Sequence, residues 1–174
     1  MSDGALVRAA LGGDTDAFRV LVERSRLEFG RYAVAMLGDV DAAADAMQEA
    51  LIRAWDSLDT CRDPDRFRSW FFRILANQCH TARGRRKPHV GIDDVELPAR
   101  DRADARLERG ELALRLGAAL DDLTPEQREA FVMKHVDGRT YEEMEALLGV
   151  GEDALKMRVH RARDALRGLL GDLR

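Results

Sequence analysis

The chain has 174 residues, of which 45% are hydrophobic, 6% aromatic and 34% charged, and its net charge is −4. That is enough apolar material for one ordinary domain or two small ones, and a charge-rich, aromatic-poor composition favours a helical protein over a sandwich or a disulfide scaffold. No apolar run approaches the ~20 residues of a bilayer span, and the N-terminal MSDGALVRAALGGD carries charges where a signal peptide needs an apolar core, so a cytoplasmic protein without membrane insertion is expected.

Helix signals recur along the whole chain, while strand-like alternation is nearly absent, so the fold class is all-α. A first helix is expected over 14–37, with Phe18, Leu21, Val22, Phe29, Tyr32 and Ala33 at three- and four-residue steps. After the GDVD stop, a second over 41–58 would turn Met47, Leu51, Ile52 and Trp55 inward and leave Asp45, Gln48 and Glu49 outside. A third opens at DPDRF, with Asp63 as cap and Pro64 at the first position, and runs to about residue 83. Residues 88–111 read as an acidic, flexible linker rich in proline and acids, including Asp93, Asp94, Glu96, Asp101 and Asp104. This divides the chain into two small helical domains, 1–87 and 112–174.

The second domain opens with Leu112, Leu116, Ala119, Leu120 and Leu123 on one face. TPEQ and TYEE are capping-box signals at Thr124 and Thr140, and Gly138 is a left-handed stop between them. A short helix, a GVG turn and a long final helix then form a helix-turn-helix. Leu155, Val159, Ala162, Leu166, Leu169 and Leu170 make the packing stripe of that last helix.

Two basic segments stand out in this acidic chain. Between Lys156 and Arg167 there are five Lys or Arg against the single acid Asp164. A basic second helix of a helix-turn-helix is the element that docks in a major groove, so duplex DNA fits as partner. From Arg66 to Lys87 there are seven Lys or Arg and no acid, with Phe67, Trp70, Phe71 and Phe72 among them. Aromatic faces among cations can hold unstacked bases of an opened strand, and this assigns Arg66, Trp70, Arg83, Arg85 and Arg86 to such a surface. Because Phe67 and Phe71 share a helical face, two or three of the four aromatics are expected to be core.

The stretches DAMQEALIRAW, FRSWFFRILANQCHTARGRRK and LTPEQREAFVMKHVDGRTYEEMEALLGVGEDALKMRVHRARDALR together resemble the extracytoplasmic-function (ECF) branch of bacterial RNA polymerase sigma factors. The resemblance spans about residues 16–87 and 112–170. It implies a region 2 domain that docks on core polymerase, with its β and β′ subunits, through Asp45, Gln48 and Glu49. It also implies that the 59–65 loop and the following helix, with Asn77, capture a flipped base of the minus-10 element. The region 4 domain would read the minus-35 element as duplex through Lys156, Met157, Arg158, His160, Arg161 and Arg163, and the linker would follow the RNA path. An anti-sigma factor is a further implied partner.

The chain departs from the family at Ala44, where a glutamate is usual, and at Asp153, Ala154 and Met157 at the start of the recognition helix. Promoter sequence therefore does not carry over. His80, His89, His135 and His160 lie on separate elements without a nucleophile motif, phosphate loop or metal spacing, so no catalytic residue, metal or cofactor is expected. Cys61 and Cys79 lack zinc spacing and read as buried or incidental thiols. A stand-alone helix-turn-helix repressor is the rival reading, but it would need a dimerisation seam that the sequence does not offer.

Overall fold

The computed structural model describes residues 1–85 and 119–170, without the side chains of Val136, Leu169 and Leu170. The expected linker with its acids, Leu112, Leu116, Arg86 and Lys87 lie outside the described residues.

The described residues fold into helices, most of them opened by a side-chain cap. α1 (Asp3–Leu11) was not anticipated; its Ser2 hydroxyl accepts from the Ala5 N–H at 3.2 Å, and Leu6, Val7 and Ala10 are buried. α2 (Thr15–Leu37) is capped by Asp14, which accepts from the Ala17 N–H at 3.1 Å, and stops at Gly38 in the left-handed region. α3 (Val40–Asp56) is capped by Asp39. A 3₁₀ turn, Pro64–Arg66, leads from the Asp63 cap into α4 (Phe67–Arg85).

The inner face of α3 differs from expectation. Ala43, Ala46, Ala50 and Ala54 are the buried residues, while Ile52 and Trp55 are 50% and 40% exposed and Met47 and Leu51 only border the core. A stripe of alanines allows α3 to lie close against α2 and α4, which leaves no room inside for the larger side chains.

Aromatic packing centres on α2 and α4. Phe72 sits 4.7 Å from Tyr32 and 5.2 Å from Phe29, and Phe71 stacks on Phe67 at 5.8 Å between ring centroids. Phe67, Phe71 and Phe72 are thus core, and only Trp70 among the four aromatics of this segment keeps partial exposure.

The C-terminal block starts with α5 (Pro125–Phe131), whose capping box joins Thr124 and Gln127. A π-helical turn, Val132–Val136, extends it. Gly138 then reverses the chain at φ 68°. α6 (Tyr141–Leu148) carries the second capping box, Thr140 with Glu143, and ends at Gly149 with φ 67°. α7 (Glu152–Leu170) is the long final helix. The buried Arg128 guanidinium donates to the carbonyls of Leu120, Asp121 and Leu123 at 2.7, 3.2 and 3.1 Å, pinning the entry to α5. Burial, with Arg83 nearby, lowers its pKa to about 10.

Ala119, Leu120 and Leu123 pack on Ala162 and Leu166, while Ala130, Met133, Met144, Leu147, Leu155 and Val159 join the same cluster as Phe29, Tyr32 and Phe72. The helix-turn-helix therefore rests on α2 and α4. At this junction Glu129 accepts a hydrogen bond from the Tyr32 hydroxyl at 3.0 Å. Burial, then Glu129, pushes the Cys79 thiol up to about 12 and the Tyr32 phenol well above its ordinary value.

An alkaline weakness follows. The unfolded Cys79 loses its proton near pH 9 and the folded one near 12, so the folded state holds more protons across that range and stability falls as pH rises. Arg128 acts in the opposite sense above about pH 10. Between pH 8 and 10 the unfolding free energy should drop by about 1–2 kcal/mol. Cys79→Ala should flatten that slope. Denaturant titrations in reductant at both pH values check this, and equal stability at pH 8 and 10 would refute it.

Candidate nucleic-acid and polymerase interfaces

α7 divides cleanly by face. Leu155, Val159, Ala162 and Leu166 are buried, so the residues between them must point outward. Lys156, Met157, His160, Arg161 and Arg163 are exposed and Arg158 is half-buried. The helix N-terminal half is not uniformly cationic. Lys156 is 3.2 Å from Glu152 and 3.9 Å from Asp153, and the Glu152 bond raises its pKa. His160 lies 3.2 Å from Asp164 and Arg167 3.9 Å from it, whereas Arg161 is in none of these pairs. Exposed pairs of this kind are screened by water and salt, so a phosphate can displace them. Burial, then Arg163, lowers the pKa of His135 on the neighbouring turn.

Arg66 closes the turn before α4, and Trp70 and Asn77 follow it along one stripe of the helix, with Arg66 and Asn77 exposed and Trp70 half-buried beside Phe67. Arg85 is exposed at the helix end. Arg83 lies apart from them: its guanidinium donates to the Met36 carbonyl and pairs with Asp121. The loop before α4 is braced from behind by α1. A Cβ on Gly4 would fall 2.1 Å from Asp65 Oδ1, so only glycine lets α1 come so close to that turn without a shift of Asp65.

On α3, Asp45, Gln48 and Glu49 are exposed, with Glu49 3.1 Å from Arg53. Ile52 and Trp55 continue this face at helical spacing and give it an apolar centre that sequence reasoning had placed inside. The signal available was Ala43, Ala46, Ala50 and Ala54, a stripe at steps of three and four. Among the described residues no group of three or more His, Cys, Asp or Glu could hold a metal ion. No described helix is long and apolar enough to cross a membrane.

Residues 21–88, taking in most of α2 and all of α3 and α4, match sigma-70 region 2, and residues 113–166 match sigma-70 region 4. The ECF RNA polymerase sigma-E factor of Escherichia coli K12 is 30% identical, over 95% of this chain and 93% of its own length. The chain belongs to the ECF sigma factors.

A second relative, the ECF RNA polymerase sigma factor EcfG of Rhodopseudomonas palustris, is 31% identical over 90% of this chain and 86% of its own. Among solved structures, CnrH in complex with the cytosolic domain of CnrY matches with a TM-score of 0.68 and 31% identity, covering 98% of this chain and 97% of that one. The sigma factor RpoE bound to the anti-sigma factor NepR from Bartonella quintana matches with a TM-score of 0.54 and 26% identity, covering 86% and 95%. As an ECF sigma factor, the protein is a transcription-initiation factor that directs core RNA polymerase to promoters, and its family is not a catalytic one.

Proposed function

We propose that this sigma factor divides promoter recognition between its two blocks, 1–87 and 112–174, with 88–111 as the connection. The outward face of α3, centred on Asp45, Gln48 and Glu49, docks on core polymerase. Arg66, Trp70, Asn77 and Arg85 contact the minus-10 element as it opens, where every base has a face to stack and a phosphate to follow. Asn77 is the candidate for hydrogen bonding to an unstacked base. Arg83 joins this set only after it leaves Asp121. The complex works in the cytoplasm, where core polymerase is, and an anti-sigma factor, the kind of partner held by RpoE in its complex with NepR, is a candidate regulator.

The observation that carries the reading is the division of α7. A buried apolar stripe fixes the helix on its own block, and the opposite face presents Lys156, Met157, His160 and Arg161 from its N-terminal half. In a major groove that half faces base edges. Lys156 and Arg161 can bond guanine, Met157 offers an apolar contact to a thymine methyl, and Arg163 lies further along, beside phosphate.

These side chains should not behave alike. Arg161→Ala and Lys156→Ala are expected to cost about 1–3 kcal/mol on the preferred minus-35 sequence and to relax preference at one position. Arg163→Ala should weaken binding evenly across sequences and flatten its salt dependence. Selection from a promoter library with each variant in holoenzyme measures both. Changed sequence preference from Arg163→Ala alone, with the other two neutral, would refute this docking.

A further inference from the structure

We propose that Asp153 and Lys156 together read one cytosine–guanine pair of the minus-35 element, the Asp153 carboxylate accepting from the cytosine amino group while the Lys156 ammonium donates to the guanine across from it. This rests on the docking of α7 proposed above and adds the base pair that the acidic start of the helix selects.

Position brings Asp153 to the bases. The buried stripe of α7 runs through Leu155, Val159, Ala162 and Leu166, and at ~100° per residue Asp153 lies on the order of 150° from its centre, one turn ahead of Met157 on the crest of the outward face. Its side chain is fully exposed. Because the N-terminal residues of a recognition helix contact base edges, Asp153 enters the groove ahead of Arg161 and Arg163. Glu152 differs: it is half-buried, on the flank nearer the stripe, where it serves as the first-turn acid that the helix dipole favours.

A carboxylate in the major groove has few partners. Phosphates repel it, and the edges of guanine and thymine offer it only acceptors and a methyl group, which leaves the amino groups of cytosine and adenine. Adenine's amino group is flanked by the N7 acceptor, which repels the second carboxylate oxygen, so cytosine is the better fit. The guanine of that pair sets its O6 acceptor beside the cytosine amino group, and this calls for a cation next to the acid. Lys156 is that cation. Its Nζ lies 3.9 Å from Asp153 Oδ1, so donor and acceptor stand side by side as the edge of one base pair requires. Glu152 at 3.2 Å and the Tyr141 ring, whose centroid is 5.7 Å from Nζ, hold the ammonium in place. With three N–H groups it can keep Glu152 and still donate to guanine.

Selection from a library of minus-35 sequences, with the protein in holoenzyme, tests this. The wild type should select cytosine paired with guanine at one position. Asp153→Ala should lower that preference about tenfold, the loss expected for one good base contact, and Lys156→Ala should relax the same position. Asp153→Asn removes the same charge but can both donate to and accept from adenine, so it should move the preference there from cytosine to adenine. If both Asp153 variants instead strengthen binding evenly on all sequences, the carboxylate is only a repulsive charge and the proposal is overturned. Relaxation of a different position by Lys156→Ala overturns it as well. Should Asp153 fail in this way while Arg161→Ala still changes minus-35 preference, the docking of α7 stands without the paired reading; if no α7 variant changes the preference, Arg161→Ala included, the docking itself has failed.

Discussion

Phe72→Ala is expected to lower the unfolding free energy by about 3–5 kcal/mol. Its ring is fully buried and meets Phe29 and Tyr32 on α2 while carrying the Arg139 guanidinium of the other block. Truncation would leave a cavity lined by stiff aromatic faces that cannot collapse into it, and it would remove the surface on which Arg139 rests. Phe72→Leu, which refills most of the volume, should cost much less. Urea unfolding followed by circular dichroism gives both numbers at an unchanged slope. A loss below about 1 kcal/mol for the alanine variant would mean that this junction is not packed as described.

Reversing the α3 face, with Asp45, Gln48 and Glu49 all replaced by Lys, is expected to weaken core polymerase binding at least ~30-fold. Interface residues whose removal matters cost about 2 kcal/mol or more, and reversal adds repulsion to the lost contacts. These side chains are exposed and make no core contact, so thermal stability should stay near the wild-type value. Ile52→Ala is a separate probe of the same face, because its exposed apolar surface fits the centre of a docking patch. Ala44, where the family carries a glutamate, sits next to this group and is also exposed, so Ala44→Glu should tighten binding. Affinity measured against purified core polymerase settles each case. Full binding by the triple lysine variant would place the docking surface elsewhere.

Much of the fold was legible in the chain because its signals are local. Asp14, Asp39, Thr124 and Thr140 cap helices with hydrogen bonds to backbone three residues ahead, and Gly38, Gly138 and Gly149 stop the chain in the left-handed region. The basic face of α7 was equally readable, since Leu155, Val159, Ala162 and Leu166 determine which side is buried and leave the cations no other side. α1 was missed because its short apolar stripe lies among glycines and charges, and its burial depends on the turn at Asp65 rather than on its own pattern.

What the sequence by itself determined is the all-α class, the helix boundaries set by caps and glycines, and the exposed basic face of α7, because each depends on residues within a few positions of one another. Only the tertiary structure decided which side of α3 is inward and where Arg83 goes. Hydrophobicity ranks Ile52 and Trp55 above alanine, yet Ala43, Ala46, Ala50 and Ala54 take the core, since the space left by α2 and α4 admits only small side chains. Arg83 read as a strand contact from its basic neighbours, but its partners, Met36 and Asp121, are 47 and 38 positions away. Charge composition records how many cations a segment has; which acid meets them depends on chain elements that only folding brings together.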